Sequence, residues 1–324
     1  MPKILVTGGA GYIGSHTVYQ LQQQGFSVIV ADDLSKGHAS SVPPGLLHVC
    51  SLFDRSQLAA LMASEKVDAV IHFAAFIAVG ESTREPEKYF HNNTGGSISL
   101  FSAMADAGVN KLVFSSTAAV YGNPTQIPIP ESSAINPVNP YGESKVMVEK
   151  ILDWLDVSRG LRSIRLRYFN ACGANNAAGL GERHEPETHL IPLILRAVIT
   201  GKPVTLFGDD YATPDGTCIR DYVHVDDLAS AHIAAVNHLL AGGATAAYNA
   251  GTGRGFSVKE VVTAVEKVTG QKVPFIIGPR REGDPDQLIA DSSKLRQNLN
   301  WKPKFDTLES IIESAWLFEK QNLT

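Results

Sequence analysis

The chain has 324 residues, of which 44% are hydrophobic and 19% charged, and it carries a net charge of −5. That is enough apolar material for a sizeable core, in one large domain with a smaller lobe or in two domains. The acidic balance excludes a general nucleic-acid binder, which needs basic surface to release counterions, but not an anionic small ligand in a local pocket. Cys50, Cys172 and Cys218 are odd in number and lack ligand-like spacing, so neither a disulfide framework nor a structural zinc site is expected. No basic start precedes a long apolar stretch, and no run reaches membrane-span length. The expectation is a soluble cytoplasmic protein with no membrane partner.

The first half alternates short apolar runs with longer amphipathic ones. Lys3–Thr7 reads as a strand, Gly14–Gln24 as a helix ended by Gly25, and Ser27–Ala31 as a second strand. Val67–Phe73, Lys111–Ser115 and Arg162–Arg167 follow as buried-strand candidates with helical stretches between them. This alternation predicts βαβ units: an α/β, Rossmann-like, doubly wound parallel sheet. Ala171–His189, rich in Gly, Ala, Asn and charge, predicts a loop over a site. Thr188–Thr200 and Asp226–Leu240 predict helices and Val204–Phe207 a strand. Ser257–Thr269 predicts a helix with Ser257 as N-cap and Glu260 three residues on. The expected layout is a nucleotide domain over 1–174, to which 222–249 returns, and a smaller C-terminal lobe from 175–221 and 250–324.

The first strand runs into Gly8-Gly-Ala-Gly11-Tyr12-Ile13-Gly14. Small residues there permit a tight turn, let the backbone approach a pyrophosphate and let the helix pack close to the strand. The helix N-terminus offers free N–H groups to phosphate. The second strand ends at Asp32, eighteen residues past Gly14; a carboxylate there accepts from ribose hydroxyls and repels a 2′-phosphate, favouring NAD over NADP.

Further on, Tyr141 and Lys145 lie four residues apart, on one face of a helix. A free phenol ionises near 10, and a nearby ammonium, helped by the positive nicotinamide ring, lowers that value, so the phenolate can act as general base toward a substrate hydroxyl. Ser115, Ser116 and Thr117 close the preceding strand, where small hydroxyls face the ligand crevice, and Thr117 can bond the same hydroxyl that Tyr141 attacks.

With these motifs the chain resembles the extended short-chain dehydrogenase family. Val79–Ser82, Leu166–Ala174, Pro186–Pro192, Thr213–Val225 and Arg280–Asp284 are similar to the UDP-glucose 4-epimerases within it, and the resemblance covers nearly the whole chain. It implies Thr117, Tyr141 and Lys145 as catalytic groups in a cycle that oxidises C4 of a UDP-hexose to a transient 4-keto sugar and reduces it from the other face. It implies NAD contacts at Gly8, Gly11, Tyr12, Ile13, Gly14, Asp32, Asp33, Leu52, Phe73, Ala74, Ala75, Asn92, Ser115, Tyr141, Lys145 and Tyr168. Substrate contacts are implied at Thr117, Phe169 and Asn170 near the sugar, His189 toward the substrate backbone, and Leu190, Thr205 and Phe207 around uracil and ribose. Arg220 and Arg281 would hold the diphosphate, where the planar guanidinium suits bidentate binding. Asp284 would take the uridine ribose.

Leu288 stands where the family borders the sugar's C2 substituent. Leucine there, in place of tyrosine, implies room for N-acetylated UDP-hexoses beside UDP-glucose and UDP-galactose. Ser51 and Ile77 depart from the family's usual acidic and lysine residues, and His189 replaces an asparagine. No cluster around His184 and His189 suggests a metal. The resemblance also implies a homodimer through helices in Asn92–Ala107 and Tyr141–Trp154. Open alternatives are a nucleotide-sugar dehydratase or decarboxylase, against which Ala118 and Ala119 speak because neither transfers protons, an epimerase of UDP-pentoses or UDP-uronic acids, and a non-catalytic NAD sensor.

Overall fold

A computed structural model of the chain describes residues 1–281 and 284–323. The strands are β1 (Lys3–Thr7), β2 (Ser27–Asp32), β3 (Leu47–Val49), β4 (Ala69–His72), β5 (Lys111–Thr117), β6 (Arg162–Tyr168), β7 (Asn170–Cys172), β8 (Val204–Phe207), β9 (Ile219–His224), β10 (Ala246–Ala250), β11 (Gly255–Ser257), β12 (Phe275–Gly278) and β13 (Gln287–Leu288). Seven of them form a parallel sheet in the order β10-β6-β5-β4-β1-β2-β3. The order reverses between β1 and β4, and in such sheets the ligand crevice opens at that switch, outside the carboxyl ends of the strands.

The helices are α1 (Tyr12–Gln23), α2 (Arg55–Glu65), α3 (Val79–Arg84), α4 (Pro86–Tyr89), α5 (Gly96–Asp106), α6 (Pro140–Arg159), α7 (Leu190–Thr200), α8 (Val225–Leu240), α9 (Val258–Thr269), α10 (Ser293–Leu299) and α11 (Leu308–Leu323). Burying both sheet faces requires helices on each. One face packs Val18 and Leu21 of α1 with Leu228, Ile233 and Val236 of α8. The other packs Leu58 and Met62 of α2, Leu100, Phe101 and Met104 of α5, and Val148 and Leu152 of α6. A separate core joins α7, α9 and α11 through Ile194, Leu195, Val261, Val265, Ile311 and Ile312.

Several expectations shift. The first helix begins at Tyr12, not Gly14, because the turn closes within Gly8–Gly11. The stretch after Asn170 is not all loop: Asn170–Cys172 pairs with Tyr222–His224, a partner some fifty positions away that no local pattern reveals. Leu295 and Trp301, expected in the C-terminal lobe, instead pack into the sheet's core beside α8, and the Trp301 indole donates to Asp227 O at 3.0 Å. The N-cap expectation at Ser257 meets a reciprocal pair: Ser257 Oγ accepts from Glu260 N, and Glu260 accepts from Ser257 N.

Candidate active site

The cradle at the carboxyl end of β1 is built by exclusion. Gly8 sits at φ +73, and a Cβ there would come within 2.5 Å of Ala74 N; one on Gly14 would lie 2.2 Å from Gly8 O. At the start of α1 no side chain caps the helix and no acidic residue occupies the first turn. Its N–H groups and positive dipole end are therefore left for an anion. Asp32 is buried, with one oxygen accepting from Ala10 N at 3.0 Å and the other from Leu34 N at 2.8 Å. Burial raises its pKa against those two amides. Both carboxylate oxygens keep a lone pair for further donors. Asp33 is exposed and accepts from Ser35 N. These features fit a dinucleotide pyrophosphate with its adenosine ribose.

The wall opposite comes from β4. Phe73 packs against the His232 ring at 4.5 Å. Ala74 and Ala75 follow, and Leu52 covers Gly96 at the sheet's edge. Asn92 donates to Asn93, whose amide in turn holds Phe76 N, Phe76 O and Ser144 Oγ. Asn93 was not singled out in the sequence, yet it ties the β4 exit loop to α6. Thr7 Oγ1 bonds the buried His72 Nδ1 at 2.7 Å.

At the end of β5 the expected groups converge. Asn139 caps α6, accepting from Gly142 N at 2.8 Å, and Pro140 at its first turn fixes the entry. This sets Tyr141 and Lys145 on the face toward β5. Lys145 Nζ donates to Ser115 O at 2.9 Å and lies 6.0 Å from the Tyr141 ring centroid. Ser115 Oγ bonds Tyr168 OH at 2.5 Å. Behind them, Glu149 of α6 holds Ser116 at 2.5 Å and Arg167 of β6 at 2.6 Å; Arg167 reaches the Tyr121 hydroxyl at 3.0 Å. Sequence reading missed this buried pair, whose members belong to elements that meet only in the fold.

The Lys145 ammonium, helped by the nicotinamide ring, was expected to lower the Tyr141 pKa. In the protein alone, burial raises it, and a hydrogen bond from Thr117 opposes that. The same burial brings Lys145 itself down to about 7.

Several of the residues expected to contact substrate lie on β8, β9, β13 and the start of α7. Parallel pairing of β13 with β9 sets Leu288 beside Arg220. Arg220 Nη2 lies 3.5 Å from Asp284, and the Arg281 guanidinium stacks over Phe207 at 4.3 Å. Thr205 and Phe207 line β8 against Gly278. Leu288 packs with the cluster containing Ala118, Tyr121 and Phe169, so it borders the strand that ends in Thr117. Asn170 opens β7, and His189 and Leu190 stand at the start of α7. Glu282 and Gly283 of the Arg280–Asp284 string lie outside the described residues. Although no metal-like cluster was expected around His184 and His189, Glu182, His184, Glu187 and His189 bring potential ligand atoms within 4.8 Å of one another. The loop between β7 and α7 gathers them without helical or strand spacing.

A parallel sheet with this cradle and a Thr–Tyr–Lys arrangement defines a nucleotide-dependent oxidoreductive fold. A family model described as the NAD dependent epimerase/dehydratase family matches residues 4–251, and the chain belongs to that family. Its relatives include the UDP-glucose 4-epimerase of Lacticaseibacillus casei, 51% identical over 315 residues that cover 97% of this chain and 95% of that one. Among solved structures, UDP-glucose 4-epimerase from Brucella ovis in complex with NAD superposes with a TM-score of 0.95 at 45% identity, covering 98% of each chain. The UDP-Glc/GlcNAc 4-epimerase of Campylobacter jejuni matches at a TM-score of 0.85 and 44% identity, over 99% of this chain and 100% of that one. Among the described residues no helix is long and apolar enough to cross a membrane.

Proposed function

We propose that the protein is an NAD-dependent isomerase that inverts C4 of a UDP-hexose, interconverting UDP-glucose and UDP-galactose. The observation that carries this reading is the meeting of Thr117, Tyr141 and Lys145 beside the Gly8–Gly14 cradle. NAD, when bound, supplies the reversible acceptor for the hydrogen of C4. Tyr141 takes the proton of the 4-hydroxyl and later returns it, and Thr117 holds the same oxygen in line. Lys145, fixed by Ser115 O, places positive charge behind the phenol. The buried site excludes water from the 4-keto sugar while it turns. Arg220 and Arg281 anchor the diphosphate, and Asp284 the uridine ribose, so the hexose alone is free to rotate.

Thr117 is followed by Ala118 and Ala119, which supply no acid or base for elimination; this disfavours a dehydratase. Leu288 is smaller than tyrosine and only partly buried beside Phe169, which supports room for an acetamido group and UDP-N-acetylglucosamine as a second substrate. Steric exclusion decides such choices cheaply. The test is incubation with a panel of UDP-sugars and identification of products by NMR. Wild type should epimerise both pairs, while Leu288→Tyr keeps UDP-galactose and loses the N-acetylated sugar. An elimination product, or no C4 inversion in any sugar, would overturn the reading.

The protein also assembles as a homodimer in this proposal. On α6, Met147, Trp154 and Val157 are exposed on one face, the last two at 74% and 83%, and Ile98 of α5 is exposed as well. An apolar stripe of this kind marks an interaction surface.

A further inference from the structure

We propose that Glu182, His184, Glu187 and His189 form a binding site for one divalent transition-metal cation, zinc by its donor set, outside the catalytic centre. Two imidazole nitrogens and two carboxylates are a zinc-type combination. Their donor atoms close a ring. His184 Nδ1 lies 3.2 Å from Glu182 Oε1 and 3.7 Å from Glu187 Oε2. His189 Nδ1 lies 2.8 Å from Glu182 Oε1 and 3.1 Å from Glu187 Oε1. Tetrahedral zinc with bonds of about 2.0–2.1 Å requires ligand atoms roughly 3.3 Å apart. The four observed distances, three shorter and one longer, span that value.

A second observation, the state of the buried donor atoms, points to a cation here. The side chains of Glu187 and Glu182 are 2% and 6% exposed. Glu187 Oε1 is satisfied by Thr188 N and His189 N. Glu187 Oε2, however, has no hydrogen-bond partner, and neither has His184 Nδ1 facing it. A buried acceptor left in this state is costly. Arg196 bonds the buried Glu319 at 3.2 Å and lies 3.9 Å from Glu187 Oε2, too far to satisfy that oxygen.

The site would act as a clamp. Its loop is tied to the segment after Asp32: His38 Nε2 bonds Arg183 O at 3.0 Å, and Lys36 Nζ bonds Glu185 O at 3.2 Å. It leads directly into Leu190 of α7. A cation here would fasten the uridine side of the crevice to the adenosine side.

The test uses the full chain with its bound dinucleotide. The protein is dialysed against a strong chelator, desalted and titrated with zinc alone against a chromophoric competitor, and bound metal is counted by mass spectrometry. The expected result is one zinc per chain and a rise in Tm, since a ligand that binds only the native state stabilises it. His184→Ala and the isosteric Glu187→Gln should each weaken binding at least ~10-fold, with dinucleotide content and circular dichroism unchanged. Failure of the wild type to take up zinc at micromolar concentration overturns the proposal. So does uptake that is equal in wild type and both folded variants, which would place the metal elsewhere.

Discussion

At position 141 two demands oppose each other. The phenol must be buried to exclude water from a keto sugar, and burial makes it a weaker acid. Thr117, through its hydrogen bond, works against that penalty. Tyr141→Phe removes the proton acceptor and keeps the ring, so turnover should fall at least ~100-fold while the protein still purifies with NAD; coupled assay and cofactor extraction check both halves. Lys145 carries the cost of the arrangement. Its folded pKa of about 7 is far below that of an unfolded lysine. A group depressed in this way destabilises the native state fully below about pH 7, and the penalty fades as pH rises toward 10.5. Lys145→Met should therefore lose activity yet gain Tm at pH 6–7, by roughly 2–5 °C, with the gain shrinking at pH 9. Calorimetry at the two pH values reads the sign, and a variant less stable than wild type at pH 6 would contradict the assignment.

The elements show why those residues stand where they do. The β1–α1 turn leaves no room for side chains at Gly8 or Gly14, and α1 enters it uncapped. Gly14→Ala would drive a methyl group into Gly8 O, so the helix must back away from the strand. The expected outcome is a folded protein that purifies with little NAD, read from the ratio of absorbance at 260 and 280 nm and by extraction. The turn, the acidic end of β2 and the Tyr141–Lys145 spacing were legible because each is written in consecutive or helically spaced residues. The pairing of β7 with β9, and of β13 with β9, was not, because strands of two or three residues carry no period of their own and exist only through their partners.

For the whole molecule, the exposed Met147, Trp154 and Val157 stripe sets the expectation of a dimer. Light scattering at micromolar protein should give twice the chain mass, and Trp154→Glu, which puts charge into that face, should shift it toward the monomer; a monomeric wild type removes the claim. The sequence by itself determined the parallel sheet, the dinucleotide cradle and the Tyr141–Lys145 pair proposed as base and partner, since hydrophobic period, glycine spacing and one helical turn are local properties. Tertiary structure alone decided three things: that Glu149 and Arg167 brace the site from behind, that Leu295 and Trp301 return to the nucleotide domain, and that Glu182, His184, Glu187 and His189 face one another. Each depends on elements distant in sequence or on a loop of irregular path. There, what meets is set by packing and charge neutralisation in the folded interior rather than by any spacing along the chain.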